Sequence, residues 1–355
     1  YGGLSLTRFQ EYSVKNSKKT SRLARIVDAA ETLFGEKVLK THAPGGDGRS
    51  SFRLKLESQY IIGTLRPNFR RTHLEAHVLN TLAEFSDDQP RCLGVVGDIM
   101  FQSDVGTRRL NMEIADVSLR RQVDLADDAV AGIFRIQAAA RKSNLNAMMP
   151  HLGNNDAWIS SLVNSTKDLE AFGPGISAAF DRNAARARVE TSHLQFVKWD
   201  CRSGNAALDE SGKLRWFDFE YAGLRHGAED FAWLIADESW PVDPDLMLQI
   251  VVDNFDHSNG LELNDYLDFL SAYTALHCVQ RLKLIQREAQ KHGWKTKRQV
   301  RKYDDAGVHP EFAAQLCAVG VFFADRSPVT AALTRNFEAA QKSFLGMGER
   351  VEDAA

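Results

Sequence analysis

A chain of 355 residues with 44% hydrophobic content can bury a large core, and at roughly 150 residues per domain it has room for two lobes. Its formal net charge of −3 is close to neutral, which removes any general reason to expect nucleic acid or an anionic membrane surface as partner. The longest uncharged apolar run, residues 312–324, falls well short of the ~20 residues that a bilayer requires, so it reads as a buried helix.

The first residues lack the apolar core of a secretory signal, and the missing initiating Met points to a trimmed or partial chain. Cys92, Cys201, Cys278 and Cys317 lie far apart without zinc-type spacing, which points to a reducing cytoplasm and no structural metal. The first helical pattern is Leu23, Ile26, Val27, Ala30 and Phe34. Residues 37–40, 52–56 and 59–65 follow as strand candidates of a small antiparallel sheet. The loop between the first two contains Gly46, Gly48 and Ser51 as G-x-G-x-x-S. This reads either as a plain turn or as a loop whose backbone N–H groups approach phosphate oxygens. It lacks the terminal Gly-Lys-Ser/Thr of a P-loop.

A helix is expected over residues 72–85, where Thr72-x-x-Glu75 matches a capping box. Glu75 has a second reading, as the ion-pair partner of a basic residue on the preceding strand. Residues 92–102 read as two strands around a Gly97-Asp98 turn, followed by a connector, residues 102–106. The change from sheet to helix near residue 106 marks the one expected boundary. It separates a small sheet lobe with an N-terminal helix and the hinge, residues 1–105, from a larger helical lobe, residues 106–355. Within the latter, helices are expected over residues 116–142 (one or two), 158–172, 176–189, 246–255, 264–290, 310–324 and 328–344, with another starting at Asp230.

Residues 206–208 and 214–217 form a predicted hairpin with Asp209, Glu210, Ser211 and Gly212 in its turn. A hairpin brings its open ends together, so Asn205 and Asp218 become neighbours, with Asp200 just upstream. Each alone reads as a turn cap or strand end. Together, D-x4-N-x12-D suits phosphoryl transfer: one carboxylate orients a hydroxyl, while an amide and a second carboxylate hold Mg²⁺ against phosphates.

The run Phe196-Val197-Lys198-Trp199-Asp200-Cys201-Arg202-Ser203-Gly204-Asn205 resembles the H-G-D-x-x-x-x-N catalytic loop of the aminoglycoside phosphotransferase and choline kinase-like family. Trp216-Phe217-Asp218-Phe219-Glu220-Tyr221-Ala222-Gly223 is similar to that family's I-D-F/W-E-x-A/C-G segment, and Asp230-Phe231-Ala232-Trp233-Leu234 to the pattern that follows it. The resemblance implies an α+β, bilobal protein-kinase-like fold with a small antiparallel-sheet N-lobe and a larger, mainly helical C-lobe. ATP would lie in the cleft with its adenine against the connector, at Gln102 and Asp104. Asp200 would be the catalytic base, and Asn205 and Asp218 the Mg²⁺ ligands. Gly46, Gly48, Ser50 and Ser51 would line the phosphates, and Glu75 would pair with the strand base.

Two departures stand out. Lys198-Trp199 replaces the family's His-Gly, and Lys198 reads as a solvated cation, with a phosphate contact as the alternative. The third strand has no Lys, so Arg66 is the expected phosphate cation and Lys55 its substitute. The acidic residues Asp237, Glu238, Asp243, Asp245, Asp253 and Asp256 read as solvated, or else as a pocket for a cationic acceptor. The basic stretch 281–302 around Trp294 reads as a solvated helix end and loop, with a phosphate or nucleic-acid contact as the alternative. Cys201 reads as packing or as an incidental redox liability. The expected function is ATP-dependent transfer of the γ-phosphate to a small-molecule hydroxyl. The alternatives are a nucleotide-binding pseudokinase with a regulatory role, or a kinase-fold enzyme that modifies a protein.

Overall fold

The apolar stripe at the start of the chain becomes a helix, α1, over residues 22–34 of a computed structural model that describes residues 22–44, 50–153, 155–173, 175–176, 179–191, 193–304 and 306–352. It covers a five-stranded antiparallel sheet: β1 (Lys40–His42), β2 (Ser51–Lys55), β3 (Tyr60–Leu65), β4 (Cys92–Val96) and β5 (Ile99–Ser103), in the order β1-β2-β3-β5-β4. Ile26 packs onto the sheet with Phe52, Leu54, Ile61 and Phe101. The approach is so close that a Cβ on Gly63 would lie 2.6 Å from the Ile26 side chain, which only glycine permits.

Two sequence expectations shift here. The first strand begins at Lys40 rather than residue 37, because Glu31 of α1 accepts the Val38 N–H at 3.0 Å and the Lys37 ammonium at 2.9 Å. The helix α2 runs Phe69–Leu82, a turn earlier than expected, because the Asn68 carboxamide oxygen accepts the Arg70 N–H at 3.1 Å. Thr72 therefore lies inside the helix with its buried hydroxyl unpartnered, and the capping box is not formed.

Contacts divide the chain into two units, residues 1–80 with 90–105, and residues 81–89 with 106–355. The second contains two small sheets and a set of helices. In order these are β6 (Arg108–Arg109), α3 (Leu110–Glu113), α4 (Leu119–Lys142), α5 (Asp156–Asn164), α6 (Arg182–Val189), β7 (Gln195–Val197), β8 (Ala206–Leu208), β9 (Leu214–Trp216) and β10 (Gly223–Arg225). Then come α7 (Ala228–Ile235), α8 (Pro244–Asp253), α9 (Leu263–His292), α10 (Lys297–Tyr303), α11 (Pro310–Ala324) and α12 (Thr334–Glu352). The predicted hairpin is present as β8 and β9, with Ala206 opposite Trp216. Helix α10 was not expected; Thr296 and Gln299 close a reciprocal cap at its start. The basic residues near it are largely paired: Arg281 meets Glu238, Lys283 meets Asp168 and Lys297 meets Glu311. Among the described residues, no helix is long and apolar enough to cross a membrane.

Candidate active site

Strand β7 delivers the chain into the loop 198–205, and β8 carries it out. Trp199 and Asp200 both take left-handed backbone conformations, with φ of 54° and 51°, and Asp218 does so at 65°. Side-chain-bearing residues are rarely held there, at a cost of about 1–3 kcal/mol each, unless neighbours over-determine the conformation. Here the neighbours are identifiable. The Asn205 amide nitrogen donates to the Asp200 carbonyl and to Asp200 Oδ2, both at 2.9 Å. Asn205 in turn accepts the Phe217 N–H on its own carbonyl at 2.9 Å, which ties the loop to the residue before Asp218.

Lys198 corrects the sequence reading. It is only 1% exposed, not solvated. Its ammonium lies 3.5 Å and 3.3 Å from the carbonyls of Trp199 and Asp200, and 5.9 Å and 5.4 Å from the Trp216 and Phe219 rings. The backbone N–H groups of Lys198 and Trp199 donate to the two oxygens of Asp230, at 3.1 Å and 2.8 Å. Asp230 reaches them because β10 pairs antiparallel with β7, Gly223 opposite Val197, and leads directly into α7. Gln137 of α4 donates a third bond to Asp230, at 2.9 Å. Neither Gln137 nor the anchoring role of Asp230 is signalled locally in the sequence.

Asp243, Asp245 and Asp253 downstream are exposed as read, but the other acidic residues differ from expectation. Asp237 and Glu238 are buried rather than solvated: Asp237 accepts the Ser203 N–H at 2.8 Å, and Glu238 pairs with Arg281 at 2.6 Å. Asp256 pairs with Arg141. No cationic-acceptor pocket is made from these three. Arg202 pairs with Asp304 at 2.8 Å, and a Cβ on Gly204 would collide with the same carboxylate, so Asp304 seats directly against the loop.

Burial raises the Asp200 pKa above the ordinary carboxylate value, reinforced by Asp218 and opposed by Arg202 and Lys198. Burial likewise raises the Cys201 thiol well above its usual value, which makes it inert packing.

In the sheet unit, Arg66 and Glu75 form a buried ion pair at 2.6 Å. The Ser51 and Thr64 hydroxyls share a 2.9 Å hydrogen bond, and Ser50 accepts the Leu65 N–H at 3.1 Å. Both serines therefore sit at the same end of the sheet as Arg66. Lys55 does not: it pairs with Tyr60 at the opposite end of the β2–β3 hairpin, on the order of 13 Å away at about 3.3 Å per residue. Gln102 lies within β5 rather than in a connector, and the Asp104 carboxylate is gripped by Arg53 at 2.8 Å and 2.5 Å. Gly46 and Gly48 lie outside the described residues.

Among the described residues no three His, Cys, Asp or Glu side chains converge as a metal site. The donor chemistry of Asn205 and Asp218 nevertheless suits Mg²⁺, which typically takes one or two protein oxygens and leaves the rest to water and phosphate. The Asn205 nitrogen faces Asp200, so its amide oxygen is the end that remains for a cation.

No protein-family model matches the chain, and no curated protein matches its sequence. Solved structures do. A choline/ethanolamine kinase family protein from Mesorhizobium loti aligns over 91% of this chain and 99% of its own, at 12% identity and a TM-score of 0.53. Spectinomycin phosphotransferase, solved with ADP and spectinomycin, aligns over 89% and 98%, at 9% identity and a TM-score of 0.53. An aminoglycoside phosphotransferase from Alicyclobacillus acidocaldarius aligns over 85% and 93%, at 12% identity and a TM-score of 0.52. The chain therefore has the α+β kinase-like fold of these phosphotransferases.

Proposed function

We propose that this chain is an ATP- and Mg²⁺-dependent phosphotransferase that moves the γ-phosphoryl group of ATP to a hydroxyl of a small molecule. The observation that carries the reading is the bracing of Asp200 by Asn205, with Asn205 tied in turn to the residue before Asp218. Asp200 accepts the acceptor's hydroxyl proton. Its carboxylate is oriented by Asn205, and its charge is balanced by Arg202 and Lys198. Asn205 and Asp218 would hold Mg²⁺, which supplies positive charge against the phosphates.

Gly46, Gly48, Ser50 and Ser51 are the proposed phosphate loop, and Arg66, positioned by Glu75, is its cation. Gln102 and Asp104 are the proposed border of the adenine, through their backbone groups, since Arg53 occupies the Asp104 carboxylate. The ADP complex of spectinomycin phosphotransferase supports a nucleotide site in this fold. All four cysteines are free thiols, which agrees with a cytoplasmic setting.

The test is ADP release over a panel of hydroxyl acceptors, with Mg²⁺, in the parent protein and Asp200→Asn. Acceptor-dependent release that collapses on substitution is the expected result. An unchanged rate removes Asp200 as the base, while nucleotide binding without turnover on any acceptor assigns the chain a regulatory, non-catalytic role.

A further inference from the structure

Three tryptophans adjoin the proposed base. Trp199 immediately precedes Asp200, and its ring centroid lies 6.1 Å from that of Trp158 and 6.3 Å from that of Trp233. All three side chains are half-buried, so the cluster forms part of a surface rather than of the core. Trp199 also holds a left-handed φ of 54°, a conformation that favours glycine. Its side chain is fixed by an indole N–H donated to Glu229 at 3.1 Å.

The charges behind this wall are already matched. Glu229 pairs with Arg225 at 2.8 Å and Glu238 with Arg281 at 2.6 Å, and both pairs are buried. Asp230 is taken up by backbone N–H groups of the loop, and Asp156, on the helix of Trp158, pairs with Arg186 at 2.5 Å. The buried carboxylates Glu229, Glu238 and Asp230 are committed to these partners and leave a cationic ligand no buried counter-charge, while Asp156 remains exposed to solvent. The guanidiniums of Arg225 and Arg281 also lie 4.8 Å and 5.9 Å from the Trp158 and Trp233 rings, where they take up the cation–π attraction that a ligand ammonium would need.

Two N–H donors and an imidazole nitrogen, by contrast, are left over. Trp233 Nε1, His277 Nε2 and Arg281 Nη2 are buried without a hydrogen-bond partner, and the His277 ring lies 4.3 Å from that of Trp233. Buried N–H groups without partners are costly, and a ligand oxygen satisfies them.

From this arrangement we propose that the acceptor subsite is the Trp158–Trp199–Trp233 wall. Its ligand is an uncharged or anionic hydroxyl compound with a flat ring, whose oxygens meet Trp233 and Arg281, rather than a polyamine or a quaternary ammonium. The assignment of this ligand as acceptor rests on the phosphotransferase reading; the binding itself does not.

Calorimetric titration of the full chain tests it, with phenyl β-glucoside and its anionic counterpart phenyl β-glucuronide as ring probes, and choline and gentamicin as cations. Saturable binding of a ring probe is expected, weakened at least tenfold by Trp158→Leu and severalfold by Trp233→Phe, which keeps the ring and removes the N–H. Thermal melts establish that both variants fold. Equal or tighter binding of the cations, no binding of either ring probe, or ring-probe binding that a folded Trp158→Leu leaves unchanged overturns the proposal. ATP turnover is read separately. Ring-probe binding without turnover withdraws the phosphotransferase reading and keeps the wall, whereas turnover on the cations alone does the reverse.

Discussion

The Asn205 side chain bonds both the backbone carbonyl and the carboxylate of Asp200, at 2.9 Å each, and so fixes the position and the rotation of that carboxylate together. Removing this brace frees a residue held at a φ of 51° to relax. Asn205→Ala is expected to lower phosphotransfer by on the order of 10²-fold, the size of effect that a misplacement of about 1 Å produces. Stability should fall by only about 1–2 kcal/mol for the two lost bonds. Steady-state kinetics and urea unfolding of the same variant check the two numbers.

Lys198 supports the loop from within the core, through the carbonyls of Trp199 and Asp200. Lys198→Met keeps the length and apolar contact of the side chain and deletes the donor. The expected result is a loss of about 1–3 kcal/mol in stability and a fall in kcat with little change in the KM for ATP. A nucleotide KM that rises while kcat holds would mean that Lys198 meets phosphate instead.

The buried Arg66–Glu75 pair separates structure from chemistry. Glu75→Ala leaves a buried guanidinium without this carboxylate and should cost about 3–5 kcal/mol. The double substitution Arg66→Met with Glu75→Leu should recover most of that stability, because an apolar pair can replace an ion pair in the interior. ATP affinity, measured by calorimetry, is expected to be lost in the double variant despite the recovered stability.

Glu229 sets a pH dependence. Burial raises its pKa from 4.5 to about 7, against the opposing influence of Arg225, Trp199 and Tyr273. Because the folded-state value lies above the unfolded one, this group's contribution to stability is fully present below pH about 4.5. It is lost as pH rises through about 7, by on the order of 3 kcal/mol at 1.36 kcal/mol per unit. Glu229→Gln cannot ionise, so the difference in unfolding free energy between parent and variant should change across pH 4.5–7 and level off above it. Denaturant titrations at four pH values read this directly, and a constant difference would show that Glu229 does not titrate in that window.

The distribution of elements, the β8–β9 hairpin and the two Asp-containing segments were legible in the sequence because they depend on neighbours a few positions away. Apolar residues three and four apart specify a helix, alternation and turn residues specify a hairpin, and a hairpin joins its ends whatever surrounds it. Partnership across long separations was not legible. Nothing near Lys198 announces Trp216 and Phe219, which bury it, and nothing near Asp230 announces that β10 will pair with β7 and carry it under the loop. The acidic run beginning at Asp237 read as solvated because charge next to charge usually is, yet Ser203 and Arg281 draw its first two members inside. The sequence alone therefore determined which chemical groups the loop carries. Only tertiary packing decided which charges are buried, what compensates them, and hence which residues hold Asp200 in place, because burial is a sum over contacts that chain order does not encode.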